Sequence, residues 1–284
     1  MEIVKRVSRM RELGRDLRER GDSIALVPTM GALHDGHLSL LRRGREMADR
    51  VVLSLFVNPT QFGPDEDLDR YPRDEHRDTD LAKREGVDYV FMPEAREMYP
   101  DGFRTYVSVT ELEDKLCGES RPGHFRGVCT VVAKLLHIVQ PQFAVFGEKD
   151  AQQLLIIERM VRDLDLPVEV VAAPTVRDDD GLALSSRNRY LDGAERRAAA
   201  VLSRGLGAVG EQFVVGVRQA AELKATLDST LAAEPLAEVE YASLVDRRTL
   251  LPVTVVDRPT LCALAVRIGA TRLIDNLTLR PEGD

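Results

Sequence analysis

The order of apolar runs predicts an α/β fold: a parallel sheet wound with helices on both faces, followed by a smaller α+β domain. Three observations carry this. From residue 23 to 174, short apolar runs alternate with amphipathic stretches of helical length, the pattern of strands joined by helical crossovers. Between 174 and 191, "PTVRDDDGLALSSRNRYL" breaks that rhythm with proline, an acidic turn and glycine. Beyond it, alanine-rich helical sequence gives way to strand-like runs.

Taken in order, residues 1–21 read as a charged amphipathic helix, and "SIALV" (23–27) as a buried strand. Leu38, Leu40, Leu41 and Met47 then recur among arginines at roughly helical spacing, giving a helix over 37–48. "RVVLSLFV" (50–57) is a second buried strand, "RDTDLAKREG" (77–86) a helix and "VDYVFMP" (87–93) a strand. "GVCTVVAKLLHIVQP" (127–141) is apolar enough for a well-buried helix; "QFAVFG" (142–147) is a strand. "DAQQLLIIERMVRDL" (150–164) is a helix and "PVEVVAAP" (167–174) a strand. The boundary is placed to give domains 1–176 and 177–284. In the second, helices over about 192–233 precede the strands "AEVEYASLVD", "LCALAVRI" and "TRLIDNLTL".

At 284 residues the chain can bury two cores. A net charge of −8 argues against a protein that coats nucleic acid, while local arginines still permit small anionic substrates. No apolar run approaches membrane-spanning length. Cys117, Cys129 and Cys262 lie far apart without a C-x-x-C pair, which points to a reducing, cytoplasmic setting.

The polar oddities fall where strands end. "PTMGALHDGH" follows the first long strand, "NPTQFGPDEDLDRYPR" (58–73) the second, "GEKDAQQ" (147–153) a later one and "RDDDGLALSSRN" (177–188) the last. In a parallel sheet these loops share one edge, the edge at which ligands gather. "LCGESRPGHFRG" (116–127) precedes a helix and joins the set. His34 and His37 stand where a strand becomes a helix, and a helix start is a ready site for phosphate. Zinc binding and plain helix capping are the other readings, although no third ligand stands at metal-site spacing nearby. Lys149–Asp150 also reads as a turn and N-cap, and Ser185–Arg187 as an ordinary loop. Gln61 also reads as a loop side chain satisfying backbone groups, while Arg121 and His124 are ambiguous.

"PTMGALHDGH", "FVNPTQFGPDEDLDRYPR", "SRPGHFRG", "FGEKDAQQ" and "LSSRNRYL", in this order, resemble the motifs of the pantoate–β-alanine ligase family. The likeness is dense over residues 24–191 and continuous beyond. "HDGH" and "LSSRN" are similar to the HIGH and KMSKS-like signatures of the wider nucleotidyltransferase superfamily. Ala151 departs from the pattern, since many members carry an aromatic residue there; looser packing near the nucleotide is expected.

The resemblance implies a Rossmann-like domain, a C-terminal lid domain and a homodimer. It also implies condensation of pantoate with β-alanine, using ATP and Mg²⁺, through a pantoyl-adenylate. Met30, Gly31, Ala32, Leu33, His34, Asp35, Gly36 and His37 would line the ATP cleft, with His37 the proton donor and His34 beside it. Gly147 would allow close approach, Glu148 would stand with it in the ATP site, Lys149 would meet phosphate and Asp150 the ribose. Val176 would meet adenine through its backbone, and Leu184, Ser185, Ser186 and Arg187 would close over pyrophosphate. Gln61 and Gln153 would hold pantoate, Gln61 also β-alanine, with Arg121 and Tyr71 near the leaving phosphates and the amine. Asp78 and Asp80 would hold Mg²⁺ through water. Two other functions fit the same motifs: a nucleotidyltransferase that keeps the nucleotide in its product, and a non-catalytic nucleotide-binding regulator.

Overall fold

The computed structural model describes residues 1–64 and 66–281. The chain divides into two compact units. The first comprises residues 1–114, 118–148 and 152–174; the second comprises 115–117, 149–151 and 175–284. The last segment of the second unit begins at Thr175, beside the expected cut after residue 176, and two short segments, one of them carrying Lys149, belong to the same unit.

The first unit is a six-stranded, wholly parallel sheet. Its strands are β1 (Glu2–Val4), β2 (Ile24–Thr29), β3 (Arg50–Leu55), β4 (Tyr89–Phe91), β5 (Phe143–Gly147) and β6 (Glu169–Ala173). They lie in the order β1-β4-β3-β2-β5-β6. The chain winds outward from β2 through β3 and β4, then returns to place β5 on the other side of β2. That reversal makes the carboxyl ends of β2 and β5 the crevice in which such sheets hold ligands.

The helices of this unit are α1 (Val7–Glu19), α2 (Asp35–Met47), α3 (Glu75–Arg84), the single turn α4 (Ala95–Met98), the single turn α5 (Cys117–Ser120, which begins in a second-unit residue), α6 (His124–Val139) and α7 (Ala151–Asp163, which likewise begins in one). Helix α1 buries Met10, Leu13, Gly14 and Leu17, the i, i+3, i+4, i+7 stripe of an amphipathic helix. Helix α6 buries twelve of its sixteen residues, as its apolar sequence demands. Strand β1 corrects the expectation of helix from residue 1: three residues are too few to declare a period, and pairing with β4 decides their conformation.

In the second unit, α8 (Gly193–Ala199), α9 (Val201–Val214) and α10 (Ala220–Ala232) accompany an antiparallel sheet of β7 (Ala237–Asp246), β8 (Thr260–Ile268) and β9 (Thr271–Leu279). Leu202, Leu206 and Val209 of α9 and Leu223, Leu227 and Leu231 of α10 pack on Cys262, Leu264 and Val266 of β8.

Candidate active site

In the first unit the site is built on the loops leaving β2 and β3, which are paired in register from Ile24–Arg50 to Thr29–Leu55. After β2 the backbone turns through Gly31 (φ +84°) and Ala32 (φ +52°), both in the left-handed region. Glycine is required at 31 for a second reason: a Cβ there would lie 2.9 Å from Asp78 Oδ2. His34 is then the extended N-cap of α2 (φ −141°, ψ 173°), and His37 closes the first turn. The His34 N–H points at His37 Nδ1, 3.4 Å away, and the two imidazoles sit 4.0 Å apart between ring centroids. Two imidazoles are thus held side by side at the positive end of a thirteen-residue helix, whose His37 N–H donates to His34 O at 2.7 Å.

Asp78 shapes this turn. It lies on α3 and is 2% exposed; its two carboxylate oxygens accept the N–H groups of Ala32 (2.7 Å) and Leu33 (2.8 Å). The neighbouring Arg77 donates to Leu33 O at 3.0 Å. Asp78, expected to hold magnesium through water, is buried and engaged with backbone, while Asp80 is exposed and faces His76 Nδ1 at 3.4 Å on the same helix. Within the stretch expected to line the ATP cleft, the Ala32 and Leu33 N–H groups go to Asp78, and Leu33 belongs to the core. Among the described residues no group of three or more His, Cys, Asp or Glu is placed to hold a metal ion.

The loop after β3 fixes Gln61. Asn58, 1% exposed, caps the turn Pro59–Gln61; its Oδ1 accepts from Thr60 N (3.4 Å), Thr60 Oγ1 (2.9 Å) and Tyr99 OH (2.8 Å). That assigns its Nδ2 to Gly127 O (3.1 Å) and to Gln61 Oε1 (3.0 Å). The Gln61 amide is thereby oriented, oxygen toward Asn58 and NH₂ toward Met30 Sδ at 3.1 Å. Gln61 thus carries its NH₂ donors beside Met30, while its oxygen, with one lone pair on Asn58, keeps a second for accepting. The same contact joins the β2 and β3 loops, as their shared sheet edge predicts.

Arg121 and His124 brace this turn from α6 and the loop before it. Arg121 Nε and NH2 donate to the two Glu66 oxygens at 2.7 and 2.5 Å, and NH2 also reaches Gln61 O at 3.3 Å. Its NH1 stands 3.0 Å from His124 Nε2, so that nitrogen accepts, and the Nδ1–H of His124 donates to Gln61 O at 2.7 Å. Burial pushes the Glu66 carboxyl up, but the hydrogen bond and charge of Arg121 hold it below the usual carboxylate range. Arg121, expected near the leaving phosphates and the amine, thus braces the Gln61 backbone. Tyr71, expected there too, is 7% exposed and meets Phe62 edge to face at 5.9 Å.

Of the adjacent glutamines on α7, Gln152 is buried and donates to Leu112 O at 3.0 Å. Gln153, half-buried in the first turn, remains the substrate candidate. Gly147 ends β5, and Glu148 follows it at the same carboxyl edge.

The second unit carries the remaining candidates. Lys149 Nζ lies 3.9 Å from Asp150 Oδ1, and Lys149 O accepts from Asn276 Nδ2 of β9 at 2.8 Å. Residues 176–184 form a tight loop: Leu184 N donates to Val176 O at 3.0 Å, and Arg177 bridges Ala183. Arg177 donates from NH1 and NH2 to the two oxygens of buried Asp275 at 2.6 and 2.9 Å, which fixes the loop to β9. Ser185 caps the turn Ser186–Tyr190 by accepting from Arg187 N at 3.3 Å. Asn58, Glu66, Asp275 and Asn276 escaped the reading of the sequence. The Asn–Gln spacing of three in "NPTQ" was the only signal for any of them.

Comparison with known proteins places this arrangement. Residues 2–278 match the family described as pantoate-beta-alanine ligase. A pantothenate synthetase of Pelotomaculum thermopropionicum is 55% identical over 279 residues, covering 98% of this chain and 99% of that protein. The crystal structure of pantothenate synthetase from Thermus thermophilus superposes with a TM-score of 0.94 at 48% identity, covering 99% of this chain and 100% of that one. A pantoate-beta-alanine ligase from Francisella tularensis, complexed with beta-gamma ATP and beta-alanine, gives 0.81 at 33% identity, over 98% and 97% of the two chains.

Proposed function

The chain belongs to the pantoate–β-alanine ligase family, and from that premise we propose how its own residues join pantoate to β-alanine at the expense of ATP. The observation that carries the reading is the His34–His37 pair at the start of α2, at the switch point of the sheet, with the Gln61 donors on the adjoining loop. A carboxylate is a poor acyl donor because oxide is a hopeless leaving group. Attack of a pantoate carboxylate oxygen on the α-phosphorus of ATP forms a mixed anhydride and expels pyrophosphate. The β-alanine amine then attacks the acyl carbon, forms the amide and releases AMP. Neither step needs a protein nucleophile; positioning and stabilisation of developing charge carry both.

In this reading His34, His37 and the α2 N-terminus stabilise charge growing on the triphosphate, with His37 able to give a proton to the departing oxygen. Gln61 donates to pantoate oxygens, and Gln153 completes that subsite. Lys149 places a cation on phosphate, Asp150 meets the ribose, the Val176 backbone meets adenine, and Leu184–Arg187 cover pyrophosphate. Among the described residues the chain builds no metal cage, so magnesium enters as the counter-ion of ATP, held by phosphate and water; no step is assigned to it.

The homodimer is read by sedimentation. A cytoplasmic setting accords with Cys117, Cys129 and Cys262, all buried and none in a disulfide among the described residues; no helix of the described residues is long and apolar enough to cross a membrane. The test of function is formation of AMP and pyrophosphate that requires both pantoate and β-alanine. ADP and phosphate instead would mean an acyl-phosphate and remove the role of the histidines. Pyrophosphate release without AMP would favour a nucleotidyltransferase, and no turnover a regulator.

A further inference from the structure

We propose that Asn276, on β9, is a positioning residue for the adenylation step, acting through Lys149. The inference rests on the reading of Lys149 as a phosphate-binding cation. Lys149 sits in a single turn of 3-10 helix, residues 148–150, between β5 and α7, and grouping by contact assigns residues 149–151 to the second unit. The direct tie is the Asn276 side-chain amide, which donates from Nδ2 to Lys149 O at 2.8 Å across 127 residues of sequence. A backbone carbonyl held in this way fixes the peptide plane after Lys149 and so limits the directions its Cα–Cβ bond can take.

The Lys149 ammonium is not placed by a close ion pair, since it meets the Asp150 carboxylate only at 3.9 Å. The other end of the tie is rigid. Asn276 is paired in the middle of β9, opposite Ala263 of β8. Its own N–H donates to Asp275 Oδ1 at 2.8 Å, and Asp275, with a side chain 1% exposed, receives both arms of Arg177. Arg177 neighbours Val176 and bridges Ala183. Two consecutive β9 residues therefore hold, in one frame, the backbone of the phosphate cation and the loop proposed to carry adenine and pyrophosphate.

The test is a double-mutant cycle on the full-length enzyme, reading the single-turnover rate of pantoyl-adenylate formation from ATP and pantoate at saturation. Asn276→Ala is expected to lower that rate about tenfold, the upper end for loss of one hydrogen bond. Asn276→Asp keeps the volume and removes the donor, and serves in its place if the alanine chain does not fold. Lys149→Ala alone is expected to lose far more. In the Lys149→Ala background, replacing Asn276 is expected to change the rate less than about twofold, because the group it positions is gone. An unchanged rate in folded Asn276→Ala and Asn276→Asp, or a loss that persists undiminished in the Lys149→Ala background, overturns the proposal. Full activity of Lys149→Ala would instead overturn the phosphate role of Lys149 itself.

Discussion

Gln61 and Asp78 show how one hydrogen-bond partner decides what a polar side chain can do. Asn58 donates to Gln61 Oε1 and so fixes which end of the amide carries the donors. Gln61→Glu, equal in size, puts an oxygen where pantoate's carboxylate would look for a donor. Its pantoate KM is expected to rise at least tenfold, about 1–3 kcal/mol, with the ATP KM little changed; steady-state kinetics with each substrate varied checks this, and an unchanged pantoate KM would detach Gln61 from the acid. Asp78 accepts two N–H groups, and an amide can accept only one of them while turning its own NH₂ against the other. Asp78→Asn is therefore expected to cost about 1–3 kcal/mol in denaturant unfolding. Its activity should depend on Mg²⁺ concentration as the parent's does. A shifted Mg²⁺ dependence with unaltered stability would restore the metal role.

Helix α6 is where packing becomes catalytic geometry. A Cβ on Gly127 would sit 2.3 Å from Thr60 O, so the helix approaches the Pro59–Gln61 turn at backbone distance. Gly127→Ala must push that turn away, and with it the Asn58–Gln61 pair that bonds Gly127 O. The expected result is a loss of about 1–3 kcal/mol in stability together with a raised pantoate KM. Denaturation and kinetics on one preparation test the link; lost stability with an unaltered KM would uncouple them. The elements themselves were legible because strands buried on both faces announce themselves as runs such as "VVLSLFV", and the amphipathic helices by their spacing. Strand β1 was not, since "EIV" is defined by its partner β4 and not by its own pattern. The histidines, Lys149 and the glutamines stood out as polar residues at strand ends. Asp78 stood out too, yet its use did not: a carboxylate that accepts backbone N–H groups forty-five residues away has no local signature. Asn276 is hidden for the same reason.

Across the molecule, the ionisable groups set a window of stability. Burial pushes up Glu66 and Asp246, but Arg121 and the N–H groups of Thr249 and Arg248 bring them below the usual carboxylate range; Glu97 is lowered by its bond to Arg6 and Asp180 by its bond to Arg196. A carboxyl lowered in the folded state contributes stability above its unfolded value, about 4, and loses it as pH falls further. Burial raises the Cys129 and Cys262 thiols to about 12 and the Tyr241 phenol also moves up. Stability from the thiols is complete below their unfolded value, about 8.5, and is lost as pH rises toward about 12. Melting temperature is therefore expected to be level between about pH 5 and 8 and to fall on both sides. A monotonic rise into alkali would contradict the placement of the buried thiols.

The central claim is that two imidazoles at the start of α2 stabilise charge while ATP is being cleaved. Rapid-quench measurement of the pantoyl-adenylate burst in His34→Ala and His37→Ala, beside a melting curve for each, tests it most directly. Removing one preorganised donor is expected to slow the burst about 10²–10³-fold. The melting temperature should barely move, and amine attack on preformed adenylate should suffer less, because pyrophosphate has already left. An undiminished burst in both variants would contradict the account.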